Sequence, residues 1–203
     1  EDLLIEYDFI TNPKQGIAEV YLTIAKLLKN KIEHNQVLLL SRIAEYLRPE
    51  YPTIVLQVAN VLENLQQYDL ALDSYSSVNP KNPNYLLAEL GRAKNLALLN
   101  RESESIEVLK SLSKSHYDNV VVHSSLGNML RETDRDIEAL EAYSTAINLA
   151  NLRNQPRWPI YFYRGILYEK QKNFVKMESD FREALKISPN QPDVLNFLGY
   201  ALV

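Results

Sequence analysis

Cysteine is absent from this sequence. That excludes disulfide bonds and thiolate metal sites, and it leaves the compartment open. Glycine is scarce, five residues in 203, so neither a glycine-rich phosphate loop nor a flexible glycine linker is encoded. No nucleophile elbow occurs. An excess of positive charge is also missing: 22 Lys and Arg stand against 26 Asp and Glu, a net charge of -4. A general nucleic-acid surface would be basic, so none is expected. No apolar run reaches the length that spans a bilayer, and no membrane insertion by this chain is expected. There are three histidines, His34, His116 and His123. A loop separates His116 from His123 and no third ligand stands near them, so surface or interhelix histidines are favoured over a metal site. No cofactor is expected.

What is present is an ordinary share of apolar and charged residues, 46% and 24%, in an unusual arrangement. From Trp158 to Gln191 two amphipathic patterns flank a polar turn. Tyr161, Arg164, Gly165 and Tyr168 share one helical face, and Phe174, Met177, Phe181, Ala184 and Leu185 share another. Pro189 ends the second. Helices this short are marginal alone, so the unit must bury its apolar faces against neighbours. Those neighbours recur every 34 residues, from Ala18, Pro52, Leu86 and Val120; four extra residues precede Trp158, and a truncated copy begins at Pro192. Position eight is small throughout: Ala25, Ala59, Ala93, Gly127, Gly165 and Gly199. Position eleven reads Leu28, Leu62, Leu96, Leu130, Tyr168 and Leu202, and position twenty-four reads Ser41, Tyr75, Leu109, Tyr143 and Phe181. A small residue within an apolar lattice permits close helix approach.

The block Tyr161-x2-Arg164-Gly165-x2-Tyr168, then Met177-x3-Phe181-x2-Ala184, then Pro189, resembles the tetratricopeptide repeat family at its 34-residue period. The resemblance implies an all-α, right-handed superhelical solenoid of antiparallel helix pairs. It would hold about five repeats (18–51, 52–85, 86–119, 120–153 and 158–191) and a partial one at 192–203, after a lead-in at 1–17. The stretch Gln191 to Tyr200 and the Trp158 to Gly165 block are similar to bacterial, chiefly alphaproteobacterial, members. They are also similar to envelope lipoprotein adaptors, a likeness that leans toward the cell envelope or periplasm over the cytoplasm.

The pattern predicts helices over 13–30, 34–47, 52–65, 68–78, 84–99, 102–114, 118–132, 135–152, 158–171, 174–187 and 191–203. Asn12 and Pro13 read as an N-cap and first helical position, and Asn190 before Gln191-Pro192 repeats that logic. In the lead-in, Leu3, Tyr7 and Ile10 fit a helix, but Ile5, Tyr7 and Phe9 alternate as an extended segment would, and the extended reading is favoured. The second helices of the repeats from Pro52 and Leu86 are expected to be short or irregular. Leu152 to Pro156 should lengthen the helix before it and add a turn. The start at Glu1 and the stop inside a helical pattern suggest an internal fragment.

Arg92 and Arg164 both stand at position seven. Their guanidinium forks suit carboxylate capture, but stems packed between helices, with heads paired to an acid on a neighbouring helix, are favoured. Glu178 and Asp180 read as a solvated helix face, and Glu102 and Glu104 suit a helix start. No catalytic constellation is found, so the chain is not expected to be an enzyme.

The resemblance implies that the first helix of each repeat lines a concave groove. It would pass from polar, with Gln57, Asn60, Glu63, Asn64, Lys94, Ser124, Ser125, Asn128 and Arg131, to aromatic, where the later repeats supply Phe162, Tyr163, Ile166, Asn196, Phe197 and Tyr200. Position five carries no lysine, so the two-carboxylate clamp known in the family is not encoded. The expected partner site is Asn60, Asn64, Lys94, Asn128 and Arg131, with Tyr163 as an apolar anchor. Asparagine can pair with a peptide backbone, and Lys94 and Arg131 with an acidic group. The function this implies is a protein-interaction scaffold or adaptor for a protein or peptide partner. The alternative is a regulatory or targeting segment of a larger enzyme. Self-association through the C-terminal half repeat is a further expectation.

Overall fold

The computed structural model describes residues 10–49 and 51–201, with side chains as far as Gly199. Residues 1–9 of the expected lead-in at 1–17, the side chain of Tyr200 and Leu202 lie outside the described residues. Among the described residues there are eleven helices and no strand: α1 (Pro13–Leu28), α2 (His34–Leu47), α3 (Pro52–Asn64), α4 (Tyr68–Ser76), α5 (Tyr85–Leu98), α6 (Glu102–Ser115), α7 (Val120–Glu132), α8 (Asp136–Leu152), α9 (Trp158–Lys170), α10 (Phe174–Ile187) and α11 (Pro192–Ala201). They fall into two compact units, Glu1–Leu99 and Asn100–Val203.

In the first unit each helix packs on the next in sequence, α1 on α2 through to α4 on α5. In the second the same order runs from α6 to α11, and α7 also reaches α9. Short connections between packed neighbours make successive helices within each unit antiparallel. The first core holds Ala18, Leu22, Ala44, Ile54, Val58, Ala59, Leu62, Ala71 and Tyr75. In the second unit Leu130, Ala139, Tyr143, Ala146, Leu167, Met177, Phe181 and Ala184 are buried.

The small residues at position eight explain the spacing. A Cβ added at Gly127 would stand 2.7 Å from the Tyr143 ring, and one at Gly165 would stand 2.5 Å from the Phe181 ring. Tyr143 and Phe181, at position twenty-four, therefore each lie directly on the glycine at position eight of their own repeat. Tyr75 lies instead on Gly91, at position six of the following repeat, where an added Cβ would collide with the ring. Gly199 has no atom within 4 Å of such a Cβ.

Helix ends follow local chemistry. The Asn12 side chain accepts from the Gln15 N–H at 3.1 Å. Asn119 accepts from Val121 and Val122, which starts α7 two residues later than the pattern predicts. At α11 the residue before Pro192 is Gln191, so Asn190 does not hold the cap position. α4 has nine residues and ends before Asn79-Pro80, as expected for a short helix. α6 departs from expectation: it is a regular helix of 14 residues. Ser105 is small enough to be buried where Ala71 and Ala139 stand in other repeats. α8 reaches 17 residues, lengthened up to Leu152.

The turns between paired helices hold a feature that the glycine shortage conceals. Gln66, Asn100, Asp134 and Lys172 all occupy position fifteen, and all have positive φ, from 55° to 59°. The following N–H reaches back over the helix end, from Gln67 to the Leu62 carbonyl (2.9 Å), Arg135 to Leu130 (2.9 Å) and Asn173 to Tyr168 (2.8 Å). That is the Schellman closure, made here without glycine.

Candidate functional site

Each unit contains one tyrosine at position twenty-four whose ring is buried and whose hydroxyl reaches polar side chains on a first helix. A buried phenol needs a hydrogen-bond partner, and the two tyrosines find opposite ones.

In the first unit the partner is an acid. The Tyr75 hydroxyl donates to Glu63 Oε1 at 3.0 Å, and Asn95 Nδ2 donates to the same oxygen at 2.6 Å. Lys94 Nζ donates to Glu63 Oε2 at 2.5 Å. Burial, followed by the charge of Glu63 and its hydrogen bond, pushes the Tyr75 phenol well above its ordinary pKa. The Glu63 side chain is 7% exposed and its carboxylate is satisfied by three donors. Lys94, itself 61% exposed, is thus paired with an acid of its own chain. Asn60 accepts a long bond from Lys29 Nζ, 3.4 Å, while Asn64 is exposed. Asn95, which sequence reasoning passed over, is fully buried.

In the second unit the corresponding side chain at position twelve is a cation. The Tyr143 hydroxyl donates to Asn128 Oδ1 at 2.7 Å and accepts from Arg131 Nε at 3.4 Å. The Arg131 guanidinium lies over the Tyr163 ring, 4.7 Å from its centroid, and the Tyr143 and Tyr163 rings stack at 6.4 Å and 20°. Burial pushes the Tyr143 phenol up to about 12, although the Arg131 bond and charge pull the other way. It stays a donor at neutral pH. Arg131 also meets the exposed Glu132 at 3.3 Å. The structure thus joins Asn128, Arg131 and Tyr163 into one cluster through Tyr143. Phe162, expected to line the groove, is buried against Phe181 (5.8 Å) and Phe197 (5.6 Å).

The two arginines at position seven are engaged. Arg164 makes a bidentate pair with Asp180 of α10, at 2.8 and 2.7 Å, and donates to Ser144 Oγ at 3.0 Å. Burial would lower its pKa, but the bond and charge of Asp180 outweigh burial and hold it above its ordinary value. Asp180 is 4% exposed, so the reading of it as a solvated face is corrected: it is the buried counter-ion of Arg164. Arg92 makes a bidentate pair with Glu89, one turn earlier on its own helix, at 2.8 and 2.7 Å. Among the described residues no group of three or more His, Cys, Asp and Glu side chains converges as a metal site would. No helix among them is long and apolar enough to cross a membrane.

Stacked pairs of short helices, with a small residue under an aromatic ring in successive copies, define a helical-repeat protein. The family model of the tetratricopeptide repeat matches residues 159–191, and the chain has the fold of tetratricopeptide proteins. It is similar to MamA, residues 41 to the end, from Desulfovibrio magneticus RS-1, with 15% identity, TM-score 0.71, and coverage of 89% of this chain and 98% of that one. It is similar to TTC0263 from the thermophile Thermus thermophilus, with 17% identity, TM-score 0.67, and coverage of 91% and 98%. YrrB, described as a tetratricopeptide protein with an unusual peptide-binding site, matches with 18% identity, TM-score 0.64, and coverage of 88% and 90%. No curated protein sequence matches the chain.

Proposed function

We propose that this protein is a non-enzymatic interaction scaffold that presents the first helices of its repeats to a partner protein or peptide. The observation that carries the reading is the Tyr143 cluster. Its polar groups are linked through the Tyr143 hydroxyl, yet Asn128 Nδ2 and Arg131 Nη1 have no partner among the described residues. Donors ordered in advance bind with less entropy loss than free ones. Asn60 and Asn64 in the first unit, and Asn128, Arg131 and Tyr163 in the second, are the proposed partner-binding side chains. Lys94 supports Glu63 and contributes through that support. The description of YrrB as peptide-binding agrees with this reading.

The test starts from capture of a partner by the immobilised chain from its native cells. Joint substitution of Asn64, Asn128 and Arg131 by alanine should leave the helical circular dichroism intact, since these side chains lie outside the core. Affinity for the captured partner should fall at least tenfold, about 1.4 kcal/mol. Unchanged affinity of that variant, with loss on substituting residues of the second helices, overturns the assignment.

A further inference from the structure

We propose that Arg131 and Asn128 form a site for a single carboxylate of an acidic peptide, with Tyr143 as its positioning residue. The proposal rests on the scaffold reading above and names the chemistry of the partner at this point.

The direction of each hydrogen bond carries the argument. A phenol has one proton. Tyr143 gives it to Asn128 Oδ1, which turns the amide so that its acceptor faces the tyrosine and its two Nδ2 protons face away. The lone pairs of the same hydroxyl face Arg131 Nε, and the Tyr163 ring supports the guanidinium from one side. Arg131 Nη1 is left with no partner among the described residues. One buried hydroxyl thus orients two neighbouring side chains, one turn apart on α7, so that both present only donors. Such a surface is matched by an anionic acceptor, and a carboxylate fits the planar fork of an arginine. Glu132 is a weak internal competitor, since it is exposed and its contact is 3.3 Å long.

The first unit places a tyrosine hydroxyl on position twelve in the same way, but there the carboxylate is built in and the other donors, Lys94 and Asn95, come from the following repeat. There position twelve is Glu63, and a tyrosine hydroxyl, an asparagine amide and a lysine close on it. In the second unit position twelve is Arg131, so the acid has to come from outside the chain. The change from acid to cation at one repeat position thus turns the centre under the tyrosine hydroxyl from an acceptor into a donor.

The probe is the peptide acetyl-Ala-Ala-Glu-Ala-Ala-amide, with its Gln counterpart as control, titrated into the full chain labelled for NMR. The Glu peptide should shift the Arg131 Nε–H and Asn128 Nδ2–H signals, and the Gln peptide should bind at least tenfold more weakly. Arg131→Gln should abolish the difference. Tyr143→Phe keeps the ring on Gly127 and should also collapse the Glu-to-Gln ratio, while leaving Gln-peptide binding unchanged; a merely structural role would weaken both peptides alike. Lys94→Ala should change nothing at Arg131. Equal binding of the two peptides overturns the proposal, as does tighter binding of inorganic phosphate than of the Glu peptide at the same signals. Failure here is separable from failure of the scaffold reading. A captured partner that needs Asn64, Asn128 and Arg131, but binds equally after its carboxylates are amidated, removes only the carboxylate. Peptide shifts at Arg131, with a partner indifferent to the triple substitution, remove only the scaffold assignment.

Discussion

Tyr75 and Tyr143 hold the same position in two repeats, one in each unit, and they lead to opposite electrostatics. Both rings are buried against a glycine. Both hydroxyls reach the side chain at position twelve of a first helix, Glu63 in one unit and Arg131 in the other. Around Glu63 the network is closed: the acid has three donors. Around Arg131 it is open: the cation has a stacking partner and two long bonds, of 3.4 and 3.3 Å. The repeat lattice thus places a tyrosine hydroxyl on position twelve in both units, while the side chains around it leave one centre closed and the other with unpaired donors.

The largest expected effect tests what the two centres share. If each tyrosine is seated on a glycine, Gly127→Leu and Gly91→Leu should each overpack their unit by about 1–3 kcal/mol or more. Gly199→Leu should cost nothing measurable, because open space lies above it. Urea unfolding midpoints check this. A loss at Gly199 equal to that at Gly127 would contradict the seating.

The next effect separates the centres. Glu63→Ala strips the acceptor from the Tyr75 hydroxyl and the buried Asn95 amide, and each unsatisfied group costs about 1–3 kcal/mol. A loss of about 2–4 kcal/mol is expected. Arg131→Ala removes a side chain that is 25% exposed with long bonds, and should cost under about 1 kcal/mol. Comparable losses would mean that the two centres are equally structural.

Much of this was legible in the sequence, for a physical reason. Close helix approach restricts position eight, and proline and asparagine restrict helix ends, so the period and most boundaries can be read directly. Gly91 was not legible, because it stands outside the small-residue column and its need arises from a ring on the preceding helix. The burial of Asp180 was missed because its counter-ion, Arg164, lies sixteen residues away on the partner helix. Arg92 and Glu89, three apart on one helix, did carry a readable signal. For the candidate site, Asn128, Arg131 and Tyr163 could be chosen from their repeat positions, but the occupation of Lys94 could not. The unused signal was the tyrosine itself: a buried hydroxyl at position twenty-four implies polar partners, and Glu63, Asn95, Asn128 and Arg131 were the residues within reach.

The smallest effect tests whether the units differ only in side chains. Position fifteen has positive φ in both, at Gln66 (59°) and at Lys172 (59°). An L-residue in this region costs about 1–2 kcal/mol through contact of Cβ with the carbonyl. Glycine removes that cost, but its freer unfolded chain returns roughly 0.5–1 kcal/mol. Gln66→Gly and Lys172→Gly should therefore each stabilise, by a few tenths to about 1 kcal/mol. Alanine, which keeps the Cβ, should give no gain at either place. The backbones of the two turns are alike and close with the same back-reaching bond, 2.9 Å to Leu62 and 2.8 Å to Tyr168. Equal gains in the two midpoints are thus expected. A gain at only one of them would show that the units differ in their backbones as well, and the contrast between Glu63 and Arg131 could no longer be assigned to one side chain in a common frame.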